Sequence, residues 1–98
     1  MVEIIKSETF SIWLNGLKDR QGKVRILARL DRMELGNPGQ FKPVGEGVSE
    51  MKIDFGPGYR VYFFNEDGQV VVLLCGGDKS TQKSDIVTAK RMAAERRK

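Results

Sequence analysis

VSEMKIDFGPGYRVYFFNEDGQVVVLLCGGDKSTQ, residues 48–82, decides how this chain folds. Its first eight residues alternate: Val48, Met51, Ile53 and Phe55 are apolar, with Glu50, Lys52 and Asp54 between most of them. Such a period of two marks a strand with one face buried. The alternation slips at Ser49–Glu50, where a bulge or a late strand start is expected. Gly56-Pro57-Gly58 is a tight turn, and YRVYFF (59–64) is the next strand, Arg60 and Tyr62 opposing Tyr59, Val61 and Phe63. Asp67-Gly68 signals a hairpin. VVVLLC (70–75) is apolar throughout, as suits a strand covered on both faces.

Helices are expected on either side of these three strands. VEIIK (2–6) is a short β-branched strand, and Ser7 then offers a helix cap, with Glu8 in the first turn where the helix dipole favours an acid. Phe10, Trp13, Leu14 and Leu17 fall on one helical face. After DRQG the pattern resumes as a second helix over about 22–35, with Ile26, Leu27, Leu30 and Met33 on its apolar side. Arg25, Arg29 and Arg32 form a basic stripe on another side. Residues 36–47, rich in glycine, read as a loop. A last helix near 84–96 carries a thin apolar face of Ile86, Ala89, Met92 and Ala93. The order β-α-α-β-β-β-α gives an α+β fold, a helical hairpin packed on a small, mostly antiparallel sheet. At 98 residues, one domain spanning 1–98 is expected.

Composition removes several kinds of chemistry. The chain has no histidine, which excludes Ser-His and Cys-His nucleophiles and histidine metal sites. Cys75 is its one cysteine, so an internal disulfide and a cysteine zinc site are excluded, and its place in VVVLLC reads as a small core side chain. No stretch approaches a membrane span, and the first residues carry acids where a signal peptide needs bases; a cytoplasmic protein without membrane contact is expected. Residues 1–78 hold ten basic and eleven acidic side chains, residues 79–98 seven and two. That basic excess suits a polyanionic partner.

The exit LLCGGDKSTQ (73–82) invites comparison with a nucleotide-binding loop. The comparison fails on spacing: G-x-x-x-x-G-K-[ST] places lysine directly after glycine, whereas Asp78 separates Gly77 from Lys79, and position 72 is valine.

The segments VGEGVSE (44–50), GPGYRVYF (56–63) and LLCGGDKSTQ (73–82), in this order and spacing, resemble the RelE/ParE superfamily of bacterial toxins. The similarity is strongest to its HigB-type branch, the addiction module killer or phage Gp49-like proteins, and covers roughly residues 5–95. It implies the RelE-like fold and a type II toxin. RelE and HigB members cut mRNA during translation; ParE members inhibit DNA gyrase on the same fold, and a degenerate RNA-binding module is a third reading. A ribosome-dependent, metal-independent mRNA endonuclease without cofactor is expected. Its partners would be the ribosome, mRNA and a cognate antitoxin, expected to be a DNA-binding helix-turn-helix protein.

Cleavage of RNA without histidine needs cations on the phosphorane-like transition state and groups that move protons between the 2′-hydroxyl and the 5′-oxygen. Arg60 matches the family's phosphate-binding arginine, and its guanidinium can hold two phosphate oxygens; a surface pair with Asp54 or Glu66 is the plainer role. Lys79 matches the position of a catalytic cation after the last strand, for electrostatic stabilisation or proton donation. Lys52 matches a family lysine and is assigned phosphate binding or proton transfer. Glu50 stands where RelE has a second lysine; it is either the general base or a partner of Lys52. Asp85 stands near RelE's catalytic tyrosine, so that role does not carry over. For RNA contacts the expectations are Tyr59 stacking on a base, Gln82 and Lys83 at the base or backbone, Asp78 capping the final helix or orienting Lys79, and Arg25, Arg29 and Arg32 on ribosomal RNA.

Overall fold

The computed structural model describes residues 1–98 and opens with strand β1 (Glu3–Lys6), followed by helices α1 (Glu8–Gly16) and α2 (Arg20–Glu34). Ser7 caps α1 as its sequence position predicts: its Oγ accepts from the Phe10 N–H at 3.0 Å. The same hydroxyl donates to the Leu74 carbonyl at 2.6 Å, tying the helix start to a distant strand. Asp19 caps α2 through the Gly22 N–H. Strands β2 (Phe41–Gly45), β3 (Val48–Ile53), β4 (Tyr59–Asn65) and β5 (Val70–Gly77) follow, then a 3₁₀ turn (Lys79–Thr81) and α3 (Gln82–Arg97).

The sheet has five strands in the order β1-β5-β4-β3-β2, all antiparallel except the β1–β5 pair. Strand β2 corrects the expectation of a loop over 36–47. Pro43 argues against a strand when read in isolation, yet β2 lies at the sheet edge, where a missing N–H costs no ladder bond. The GEG turn from β2 to β3 holds Gly45, Glu46 and Gly47 all at positive φ, which closes the hairpin tightly.

Alternation sorts side chains onto two faces. Met51, Ile53, Tyr59, Val61, Phe63, Val71 and Leu73 pack with Phe10, Leu14, Ile26, Leu30 and Met33 of the helical hairpin. Val48, Tyr62, Phe64, Val72, Leu74 and Cys75 pack against Ala89 and Ala93 of α3. The small alanines let α3 lie close to the sheet, and Ile86 and Met92 flank them.

The irregularity expected at Ser49–Glu50 is found on the neighbouring strands instead. Between Tyr62 and Phe63 the β4–β5 register skips Leu74, and between Pro43 and Gly45 the β2–β3 register skips Val44. The bulge at Leu74 turns Leu74 and Cys75 to the same α3 side. Beyond it, a Cβ on Gly76 would overlap the Trp13 ring, and one on Gly77 would overlap the Asp85 carboxylate. The two glycines are required because α1 and α3 both press on the strand there.

Gly76→Ala is expected to lower stability by about 1–3 kcal/mol in urea unfolding, as overpacking does. Gly16→Ala, where nothing lies within 4 Å of the new Cβ, leaves the midpoint unchanged or slightly raised. Burial pushes the Cys75 thiol up to about 12, so the native protein resists alkylation at pH 8 and labels fully once unfolded.

Candidate functional site

The face of the sheet shared with α3 is apolar only where α3 covers it. Toward the first turn of α3 the same face carries Glu50 and Lys52 from β3 and Arg60 and Tyr62 from β4, placed together by the alternation. Glu50 pairs across the strands with Tyr62, and Lys52 with Arg60.

Glu50 is 2% exposed and is the hub of this cluster. Its Oε2 accepts from the Tyr62 hydroxyl at 3.1 Å and the Gln82 Nε2 at 2.9 Å. Arg60 Nε lies 3.8 Å from the same oxygen, and Lys42 Nζ lies 3.7 Å from Oε1. A carboxylate so buried needs these partners. Burial, then the charge and hydrogen bond of Glu50, push the Tyr62 phenol far above its ordinary value, so it stays protonated and donates. With both oxygens facing donors or cations, Glu50 is built to hold its neighbours. The pairing expected with Lys52 is not made: Lys52 reaches Asp54 at 3.2 Å.

Arg60 is 6% exposed and incompletely partnered. Its Nη1 donates to the Gly58 carbonyl at 2.6 Å, while its Nε is buried with no hydrogen bond. The expected pairs with Asp54 or Glu66 are absent, for Arg60 faces Glu50 and Glu66 is held by Arg96 at 2.7 Å. The GPG turn is the common support. The Lys79 N–H donates to the Pro57 carbonyl at 3.4 Å, and a Cβ on Gly58 would stand 3.2 Å from Arg60 Nη1 and 3.9 Å from Lys79 Cβ. Arg60, Lys52 and Lys79 line one open depression beside that turn.

The other expected contacts divide. Gln82 and Lys83 lie in the first turn of α3 beside the cluster, with Gln82 engaged on Glu50. Asp78 caps the 3₁₀ turn rather than α3 itself: it accepts from the N–H and hydroxyl of Ser80, and those bonds lower its carboxyl below the usual range. Asp85 accepts from the Thr81 hydroxyl at 2.6 Å. Tyr59 is on the opposite face, 6% exposed, against Trp13 and with its hydroxyl on Asp19 at 2.8 Å. This corrects the expectation that it stacks on a base; its ring is core. Arg29 is a clamp, donating to the carbonyls of Lys52, Pro38 and Gln40. Arg25 lies over the Phe55 ring at 4.4 Å, and Arg32 stays exposed. The helical stripe is thus not one surface.

Lys42 joins the cluster without having been expected. It pairs directly with Glu50 across β2 and β3, a position visible only once 41–45 is a strand. The valines that flank the GEG turn, Val44 and Val48, were the available signal.

Removing Glu50 leaves Arg60 without its buried counter-charge and the Tyr62 hydroxyl without its acceptor. Glu50→Ala is expected to cost roughly 3 kcal/mol by urea unfolding, near the range for breaking a buried pair from one side. Glu50→Gln, which keeps an acceptor oxygen, costs less.

The geometry can be set beside known proteins. Over 94 residues the chain is 49% identical to an uncharacterized protein of Haemophilus influenzae strain Rd, covering 96% of this chain and 95% of that one. Its fold superposes on a mutant of the Escherichia coli toxin RelE in the free state with a TM-score of 0.68, covering 91% of this chain and 93% of RelE at 15% identity. Residues 12–98 match the model of the phage-derived protein Gp49-like family (DUF891). The chain therefore belongs to the phage-derived Gp49-like family and carries a fold like that of RelE.

Proposed function

We propose that this protein is the toxin of a type II toxin–antitoxin pair and cuts mRNA on the ribosome without a metal ion. The observation that carries the reading is Arg60: a buried, under-satisfied guanidinium held between Glu50 and the GPG turn, with Lys52 opposite it and Lys79 alongside. A phosphate at the mouth of this depression meets three cations. Arg60 grips the scissile phosphate, and Lys52 and Lys79 stabilise the charge that grows on its oxygens as the 2′-hydroxyl attacks. A lysine ammonium gives its proton to the departing 5′-oxygen, and the proton of the attacking 2′-hydroxyl passes to solvent or to a group of the ribosome. Glu50 serves by holding Arg60, Gln82 and Tyr62, since its own oxygens already face protein donors.

Glu50 already faces protein donors, and the exposed Asp54 beside the depression is paired with Lys52 at 3.2 Å. The ribosome therefore supplies part of the alignment, and the purified protein is expected to cut naked RNA poorly. The antitoxin, a helix-turn-helix protein in this reading, neutralises the toxin by presenting acidic side chains to its basic surface.

Inducing the protein and mapping mRNA 5′ ends tests the reading. Cuts positioned at translated codons are expected, and Arg60→Ala or Lys79→Ala should each reduce them by about 100-fold, the scale of losing one transition-state donor. Intact mRNA with arrested DNA replication would point to gyrase instead, and rapid cutting of naked RNA would contradict dependence on the ribosome.

A further inference from the structure

Two shallow depressions share the Lys52–Arg60 pair. One lies toward the GPG turn and reaches Lys79; the other lies toward edge strand β2 and is bordered by Gln40, Lys42 and Glu50. Gln40 and Lys42, on the β2 side of the second, take no part in the chemistry proposed above. Lys42 and Glu50 are direct cross-strand partners, as are Lys52 and Arg60. Lys42 and Lys52 are therefore diagonal neighbours on one face, about 7–8 Å apart at the backbone. The Lys42 side chain is 67% exposed, and at 3.7 Å its ammonium is beyond hydrogen-bond distance of Glu50. Its protons are free for an anion, while Glu50 keeps it leaning over the cleft. No strand lies beyond β2, so the cleft opens at the sheet edge. From Lys79 to Lys42, cations thus cross the sheet from the exit of β5 to β2, with the under-satisfied Arg60 between them.

We infer that the Lys42 cleft is a second phosphate subsite, which takes the backbone phosphate adjoining the scissile one in single-stranded RNA. The inference rests on the nuclease reading for which phosphate is scissile. It makes Lys42 a substrate-binding residue and gives the bound strand a path across the sheet.

The test is binding of the protein to ribosomes programmed with mRNA that carries a 2′-deoxy nucleotide at the cut position, so that no cleavage intervenes. Two further mRNAs replace the phosphate on one side or the other of the scissile one by a neutral methylphosphonate. Lys42→Ala should weaken binding to the fully charged mRNA about fivefold, as loss of an exposed ion pair does. It should also flatten the log–log salt dependence by about 0.7, the value for one phosphate contact on a single strand. Lys42→Arg should preserve both. With one of the two methylphosphonate mRNAs, Lys42→Ala should have no further effect. Equal weakening on all three mRNAs would mean that Lys42 only supports Glu50, and overturns the inference, as would no weakening on any. Cleavage of unmodified mRNA by the wild type, followed in parallel, separates the two readings. Cutting without Lys42–phosphate coupling sinks the subsite alone, coupling without cutting sinks the nuclease alone, and failure to bind mRNA sinks both.

Discussion

The buried Glu50 carboxylate is the group on which the arrangement of the polar face depends. A carboxyl side chain with 2% exposure is tolerated only where donors and cations surround it, and here they arrive from three elements: Lys42 from β2, Arg60 and Tyr62 from β4, and Gln82 from α3. Tyr62 and Gln82 are fixed by hydrogen bonds to the same oxygen, while Lys42 and Arg60 stand at ion-pair distance from the carboxylate. The cluster thus links the sheet to the start of α3 at the point where apolar packing stops. A site that binds a charged substrate gains from such rigidity, because the cations need not be reordered when the substrate arrives.

The second constraint is steric. The bulge in β5 and the two glycines after it let α1 and α3 approach opposite sides of one strand end, Trp13 over Gly76 and Asp85 against Gly77. The chain then leaves the sheet at Asp78, whose cap forms the 3₁₀ turn, and the Lys79 N–H meets Pro57. Lys79 comes from one end of the hairpin sequence and Arg60 from the other, and the GPG turn is where they join. The site is built from strand ends and turns whose backbone is held by hydrogen bonds, not from a mobile loop.

Much of this was legible in the sequence, and the remainder was hidden for identifiable reasons. The period-two alternation of 48–55 and 59–64 put Glu50, Lys52, Arg60 and Tyr62 on one face before any coordinates, and Ser7 marked the start of α1. Strand β2 was not legible because Pro43 and the surrounding glycines carry the local signal of a loop, which edge placement overrides. Without β2, Lys42 had no face. Tyr59 and Arg29 carried the right chemistry for RNA, but their roles turn on contacts distant in sequence: Asp19 for the tyrosine, the carbonyls of Pro38, Gln40 and Lys52 for the arginine. Glu50 could be read as base or as ion-pair partner, and its burial and its bonds to Tyr62 and Gln82 were not legible from its place in the strand.

The chain keeps the RelE fold at 15% identity while placing a carboxylate where RelE is expected to carry a lysine. The positive charge of this face is then contributed by Lys42, Lys52, Arg60 and Lys79 around that carboxylate. In the proposed reaction the 2′-hydroxyl of the mRNA is the nucleophile. The most direct test is the chemistry of the cut ends produced on programmed ribosomes by the purified protein. The expected products are a 5′-hydroxyl on the downstream fragment and a 2′,3′-cyclic phosphate on the upstream one, with no cut when the 2′-hydroxyl is replaced by hydrogen. A downstream 5′-phosphate, or cleavage that survives the 2′-deoxy substitution, would contradict the proposed reaction.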